Sequence, residues 1–212
     1  IRSTDGPPAT EADREPWPLT HWRPLYATVK IAMEREAERY LAEGLPISFT
    51  HPSVCLGEYD AHSFSGTLIL LIARRRLPVY LDHRFNAVYT GDVGQATVAA
   101  AERARPGEHY ILSHRNVAFG EFAALAAREA GVRPPRWKLP HGVALLGAGC
   151  LEASARLLRR EPWFTRRGLD AAARLRHWMD SGKAQRELGM PQTPLDEAIR
   201  RALAWFRQHR YC

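Results

Sequence analysis

Only three of the 212 residues are cysteine, Cys55, Cys150 and Cys212, and they are widely spaced. That excludes a disulfide scaffold and a cysteine-based zinc cluster, and makes a reducing cytoplasm the expected compartment. Long apolar runs are missing too. No stretch approaches the ~20 residues that a membrane-spanning helix needs. The opening residues from Ile1 carry neither the apolar core nor the cleavage pattern of a secretory leader. Internal repeats and low-complexity tracts are absent, which argues against a solenoid or a disordered array. Acidic residues are in deficit, 23 against 30 Lys and Arg, for a net charge of +7. No nucleic-acid recognition motif accompanies the surplus, so no nucleic-acid partner is expected. Arginines concentrate between Arg156 and Arg176. The ordinary reading is a solvated helix face; the sharper one is peripheral contact with anionic lipid or an acidic partner.

What is present is a globular balance, 45% hydrophobic and 25% charged, enough for one large domain or two small ones. Residues 1–24 are rich in Pro, Asp and Glu and read as loop. Ala32, Met33, Ala37, Tyr40 and Leu41 recur at helical spacing and predict a helix over 26–41, with Gly44 as its stop. Residues 45–50 form an apolar strand candidate ended by His51-Pro52. The pattern then gives a helix at 67–75, strands at 78–81 and 86–89, a helix at 92–105 and a strand at 110–112. Helices follow at 119–130, 143–158 and 165–175. The last helix has Thr193 as its expected N-cap, Pro194 at its first position, and Asp196 and Glu197 at the positive end of the dipole. Helix followed by buried strand is the rhythm of a parallel α/β sheet.

Tyr26 and Lys30 stand four residues apart at the start of the first predicted helix. That spacing puts a phenol and an ammonium on one helical face. The ammonium eases ionisation of the phenol, which can then exchange a proton with an alcohol or ketone near neutral pH. Taken singly, each residue reads as an ordinary aromatic or a solvated lysine.

The blocks downstream give the pair a family. They are His51-Pro52-Ser53-Val54-Cys55-Leu56-Gly57, then Phe85-Asn86-Ala87-Val88 through Asp92-Val93, then Gly107-Glu108-His109-Tyr110-Ile111-Leu112. Asp180-Ser181-Gly182-Lys183-Ala184, Glu187-Leu188-Gly189 and Thr193-Pro194-Leu195 complete the set. In this order the chain resembles the extended short-chain dehydrogenase/reductases over nearly its whole length. Within them it looks most like the dihydroflavonol-reductase, sterol-dehydrogenase and hopanoid-associated epimerase branches. The resemblance implies an α/β fold: the C-terminal part of a Rossmann-type doubly wound parallel sheet, plus a smaller, mostly helical substrate domain. Residues 1–135 would hold the back half of the nucleotide-binding domain with interleaved substrate-domain segments, and 136–212 the helical substrate-binding region. The implied cofactor is NAD or NADP. Tyr26 becomes the general acid/base, and Lys30 its activator and a ligand of the nicotinamide ribose. His51, Pro52, Ser53 and Val54 fall at the nicotinamide end, with Ser53 and Asn86 also near substrate. A homodimer is implied through the helix of Tyr26, with Val29, Met33 and Tyr40 in the contact.

The implied reaction interconverts a secondary alcohol and a ketone on a small molecule. The apolar lean of 142–158 favours a hydrophobic, sterol-, isoprenoid- or flavonoid-like substrate. A nucleotide-sugar epimerase or dehydratase with the same Tyr/Lys apparatus is the alternative. A non-catalytic binding or assembly subunit is the alternative of another class.

One family element has no counterpart: the Gly-rich strand-turn-helix that seats a pyrophosphate on a helix N-terminus. Gly147-Ala148-Gly149 lies within an Ala/Leu helical pattern and has Glu152 where a third glycine would stand. The first half of the cofactor domain is therefore expected outside this chain. Ser3 and Thr4 are the upstream candidates for the family's substrate-binding hydroxyl, but Asp5-Gly6-Pro7-Pro8 reads as the loop beyond that residue's strand. His51 stands where Asn or Arg is commoner. No second histidine or acid lies at metal-ligand spacing, so no metal is expected. Trp137, Trp163, Trp178 and Trp205 are expected in core or helix packing, with a substrate pocket as the lesser reading.

Overall fold

Helix α1 (Leu25–Ala42) opens the regular structure. The structure is a computed structural model that describes residues 7–13, 25–60, 64–157 and 178–212. Past α1, Gly44 takes φ +99°, and the N–H of Leu45 donates to the Tyr40 carbonyl at 3.1 Å. This left-handed closure satisfies a terminal carbonyl and suits a residue without Cβ, as the sequence anticipates.

The chain continues through β1 (Phe49–Pro52), β2 (Val54–Leu56), α2 (Phe64–Ala73), β3 (Val79–Tyr80), β4 (Arg84–Tyr89) and α3 (Thr90–Arg103). Then come β5 (His109–Leu112), β6 (Arg115–Ala118), α4 (Phe119–Ala130), β7 (Trp137–Lys138) and α5 (His141–Leu157). Two further helices, α6 (Gly182–Leu188) and α7 (Leu195–Gln208), follow. The predicted helix at 165–175, Trp163 and nearly all of the Arg-rich stretch lie outside the described residues.

The pairing is that of an α/β fold. β1 pairs with β5, β2 with β4 and β3 with β7, all parallel, while β6 joins β4 antiparallel. β6 escapes the sequence pattern because only Val117 of its four residues is fully buried. The first strand is also displaced from expectation. It spans 49–52 rather than 45–50, so His51 and Pro52 belong to it instead of ending it. Register decides this: Phe49 faces His109 and Pro52 faces Leu112. Pro52 has no N–H to give, and the next residue, Ser53, resumes with its N–H on the Leu112 carbonyl at 3.0 Å.

β4 is buried on both faces, and period-two alternation divides its side chains. Phe85 and Ala87 join a core of Leu56, Ile69, Ile72, Val117, Phe122, Leu195, Ile199, Leu203 and Phe206. Val88 joins a smaller core under α3 and α6 with Tyr110, Leu112, Leu188 and Met190. α7 lies beyond the expected boundary at residue 135, yet it shares the larger core with β4, α2 and α4. Its buried positions, Leu195, Ala198, Ile199, Ala202, Leu203 and Phe206, follow helical spacing, and Asp196 and Glu197 sit in its first turn.

The expected N-cap of α7 is corrected. Pro194 is the cap residue, and Thr193 is drawn away by Asp92. Both the N–H and the hydroxyl of Thr193 donate to the buried Asp92 carboxylate, at 2.7 and 2.8 Å. Two charge-assisted bonds to a buried anion outweigh one capping bond. Trp137 is the other correction. It is 71% exposed rather than packed. Trp178 lies half-buried beneath Arg84, and Trp205 stacks on His209 with centroids 4.2 Å apart.

Between β5 and α6, Lys183 donates to Glu108 at 2.5 Å and to the His109 carbonyl at 2.9 Å. The Lys183 bond holds the Glu108 carboxyl below its ordinary range. A depressed carboxyl contributes stability above its unfolded value and loses it as pH falls. Melting temperature should therefore drop as pH falls below about 4.5. In Lys183→Met that drop should shrink, as checked by calorimetry; an unaltered acid slope would show that the pair adds nothing.

Candidate active site

α1 runs antiparallel to the strands it covers. Leu41 lies beside Gly107 ahead of β5, while Glu34 Oε1 lies 3.9 Å from His109 Nδ1 at the start of β5. At ~1.5 Å per residue, the eight residues back to Tyr26 cover about 12 Å towards the carboxyl ends of β1 and β5. The helix is continuous from Leu25, so Tyr26 and Lys30 share one face, and Glu34 lies one turn below Lys30 on it. Carboxyl ends of parallel strands are where open α/β sheets bind ligands.

At those ends a polar network fixes the break between β1 and β2. The Ser53 hydroxyl donates to Asn86 Oδ1 at 2.7 Å, and the His114 N–H donates to the same oxygen at 3.1 Å. Asn86 Nδ2 donates to Asn116 Oδ1 at 2.8 Å. Asn116 exchanges two bonds with the Met179 backbone, at 3.0 and 3.2 Å. His114 Nδ1 meets Gln192 Oε1 at 2.6 Å. The structure thus brings together Ser53 and Asn86, the two residues expected near substrate. Asn86 is fully buried and its amide is committed on both ends. It braces Ser53, His114 and Asn116 against one another. Ser53 spends its N–H on Leu112 and its hydroxyl proton on Asn86, so it can offer a ligand acceptors only. Gly57 closes the segment under the β4–α3 junction, where a Cβ would lie 3.0 Å from Thr90 Oγ1.

His51 is not alone in space. Its Nε2 lies 2.8 Å from His109 Nδ1, with ring centroids 5.1 Å apart and planes within 9°. Those values describe two nearly coplanar imidazoles sharing one proton head to head. Phe49 stacks on His109 at 4.3 Å and fixes its ring. Glu34, His51 and His109 offer three ligand atoms within 4.8 Å of one another. A chelated metal needs ring lone pairs aimed at the ion, whereas these aim at each other, so the cluster reads as a hydrogen-bonded pair facing a carboxylate. Sequence spacing could not reveal it, because Glu34, His51 and His109 come from α1, β1 and β5. Asn116, His114 and Gln192 were missed for the same reason.

Two titratable groups near these strands are set aside by their surroundings. Burial pushes the Cys55 thiol up, which makes it a poor nucleophile. Burial and a bond to Glu187 push the Tyr110 phenol up to about 12, away from acid/base work at neutral pH.

The pairing and the strand-end network are those of a Rossmann-type α/β fold. No protein-family model matches the chain. It is 29% identical over 191 residues to the putative dihydroflavonol 4-reductase of Synechocystis sp., covering 88% of this chain and 55% of that protein. Among solved structures it is similar to gox2253, with 33% identity, a TM-score of 0.81, and coverage of 99% of this chain and 63% of that one. A nucleoside-diphosphate-sugar epimerase from Pseudomonas aeruginosa superposes with a TM-score of 0.77 at 27% identity, covering 100% of this chain and 64% of that one. With the motif order, these likenesses make the chain similar to the extended short-chain dehydrogenase/reductases. It spans between half and two-thirds of the length of these relatives.

Proposed function

We propose that the intact protein is an NAD(P)-dependent oxidoreductase interconverting a secondary alcohol and a ketone. What supports this is the spacing of Tyr26 and Lys30, four residues apart on the continuous helix α1, whose Glu34 lies 3.9 Å from His109 at the start of β5. A nicotinamide cofactor supplies or takes the hydride. In the reductive direction Tyr26 gives its phenolic proton to the developing alkoxide, and Lys30 keeps the phenolate form accessible. Lys30 and the His51–Val54 segment would hold the nicotinamide and its ribose, with Ser53 as an acceptor.

The fit to the cofactor is partial. The sequence has no Gly-rich turn for the pyrophosphate, and among the described residues β1 has β5 as its one partner strand. Its open edge is where preceding strands of the fold would add. The chain by itself is therefore expected to bind NADH weakly, and the chain joined to a Gly-rich segment to bind it well. Fluorescence titration of NADH tests this. Tight binding by the chain alone would overturn the division of labour, and none by the joined protein would favour the non-catalytic subunit.

A hydrophobic substrate is favoured by the dihydroflavonol-reductase relative and by α5, which exposes Val143, Leu146 and Leu151. The epimerase neighbour supports the second reading, a nucleotide-sugar substrate oxidised and re-reduced at one carbon. Turnover assays with a cyclic aryl ketone and with UDP-glucose separate the two.

α1 also supports a homodimer. Val29, Met33 and Tyr40 are 47%, 58% and 40% exposed, too much apolar surface for a helix packed only on its own sheet. A two-fold contact would cover them and would repeat each substitution. Met33→Glu should convert a dimer to a monomer with little change in melting temperature, as read by light scattering. A wild-type monomer at micromolar concentration would remove the dimer.

A further inference from the structure

Several described arginines in this protein are neutralised by carboxylates. Arg39, Arg105, Arg115, Arg128, Arg200 and Arg201 each sit on a carboxylate. Arg75, Arg133 and Arg136 differ. They line one pocket of ≈ 240 Å³. No hydrogen bond or ion pair joins their guanidinium groups to any other described residue. Three unneutralised cations around one concavity repel each other and raise the local potential for an anion.

The rest of the lining is apolar: Ile72, Leu77, Pro78, Pro134, Pro135 and Trp137. Trp137 is 71% exposed, with no ring partner among the described residues. It is nevertheless held in place, because β7 pairs Trp137 with Val79 of β3. The three prolines restrict the rim backbone. Arg75 itself takes φ +56° just past α2, a left-handed conformation costly for a residue with a Cβ. An apolar floor beside three unbonded guanidiniums suits a ligand that is anionic at one end and apolar at the other.

We propose that this pocket binds a phosphate monoester carrying a short apolar chain. Arg75, Arg133 and Arg136 would take the phosphate oxygens, for which the guanidinium fork is suited. Trp137 and the prolines would cover the chain. The volume falls below the ~300–1,000 Å³ of drug-sized sites, which limits the ligand to a short body. None of the lining residues lies on α1, β1 or β2, so the site is separate from the Tyr26 face.

The test titrates hexyl phosphate, inorganic phosphate and hexanol into the protein at low ionic strength, by calorimetry and tryptophan emission. Hexyl phosphate should bind about tenfold more tightly than either fragment of it. R75Q/R133Q/R136Q should weaken it about thirtyfold or more without moving the melting temperature or the turnover, since all three side chains are exposed. W137F should abolish the emission change while calorimetric binding persists. Equal affinity for hexyl phosphate and inorganic phosphate would overturn the proposal, as would an unweakened triple variant or competition by NADH. Arginine-dependent binding to phosphatidic acid vesicles with no affinity for free hexyl phosphate would also overturn it, in favour of a membrane headgroup contact.

Discussion

Tyr26→Phe is expected to lower turnover of the intact enzyme by about 10²–10⁴-fold, the size of a positioned proton donor's contribution. The ring stays and only the phenolic oxygen goes, so NADH affinity should stay within about twofold of wild type. Lys30→Ala should behave differently, because its ammonium serves both the phenol and the ribose. It should lower turnover and weaken NADH together. Stopped-flow hydride transfer and NADH titration on the two variants form the test. Near-normal turnover in Tyr26→Phe would remove the acid/base assignment, and unchanged NADH affinity in Lys30→Ala would remove the ribose contact.

Asn86→Leu is expected to be the most damaging substitution outside the reacting groups. Leu matches the shape but leaves the Ser53 hydroxyl, the His114 N–H and Asn116 Oδ1 without their partner in a buried setting. Each unmet group costs ~1–3 kcal/mol. Their sum of about 3–9 kcal/mol is a large part of a typical domain's ~5–15 kcal/mol. Urea unfolding should show a much lower midpoint with an unchanged slope. A variant with a near-wild-type midpoint would mean that water or a repacked neighbour replaces the amide.

The sequence showed most where local physics decides. Phe119–Ala130 is a helix over the residues expected, because its apolar spacing and Gly131 mark both face and end. Gly44 ends α1 as read, and Tyr26 with Lys30 was visible from spacing alone. Elsewhere tertiary contacts overrode the local signal. Thr193 has every mark of a cap but serves Asp92, which is distant in sequence. His51 looked solitary because its partner arrives on another strand. Asn86 was singled out near substrate, and its register opposite Asn116, which spacing could not reveal, adds the role of an internal brace. Trp137 was assigned to the interior by its residue type, yet a two-residue ladder holds it at the surface.

The sharing of one core by β2, β4, α2, α4 and α7 has a kinetic consequence. Leu56 and Ile69 share that core with Leu195, Leu203 and Phe206, which are distant from them in sequence, so the core closes only after a long loop is drawn in. Such non-local closure is slow, and α7 holds the step that completes it. α1 contributes none of the residues in that core. Folding should thus be two-paced: a slow, cooperative collapse timed by α7, followed by docking of the Tyr26 helix. In hydrogen exchange, the amides of α1 should open by local fraying, while those of β4 and α7 should wait for global unfolding.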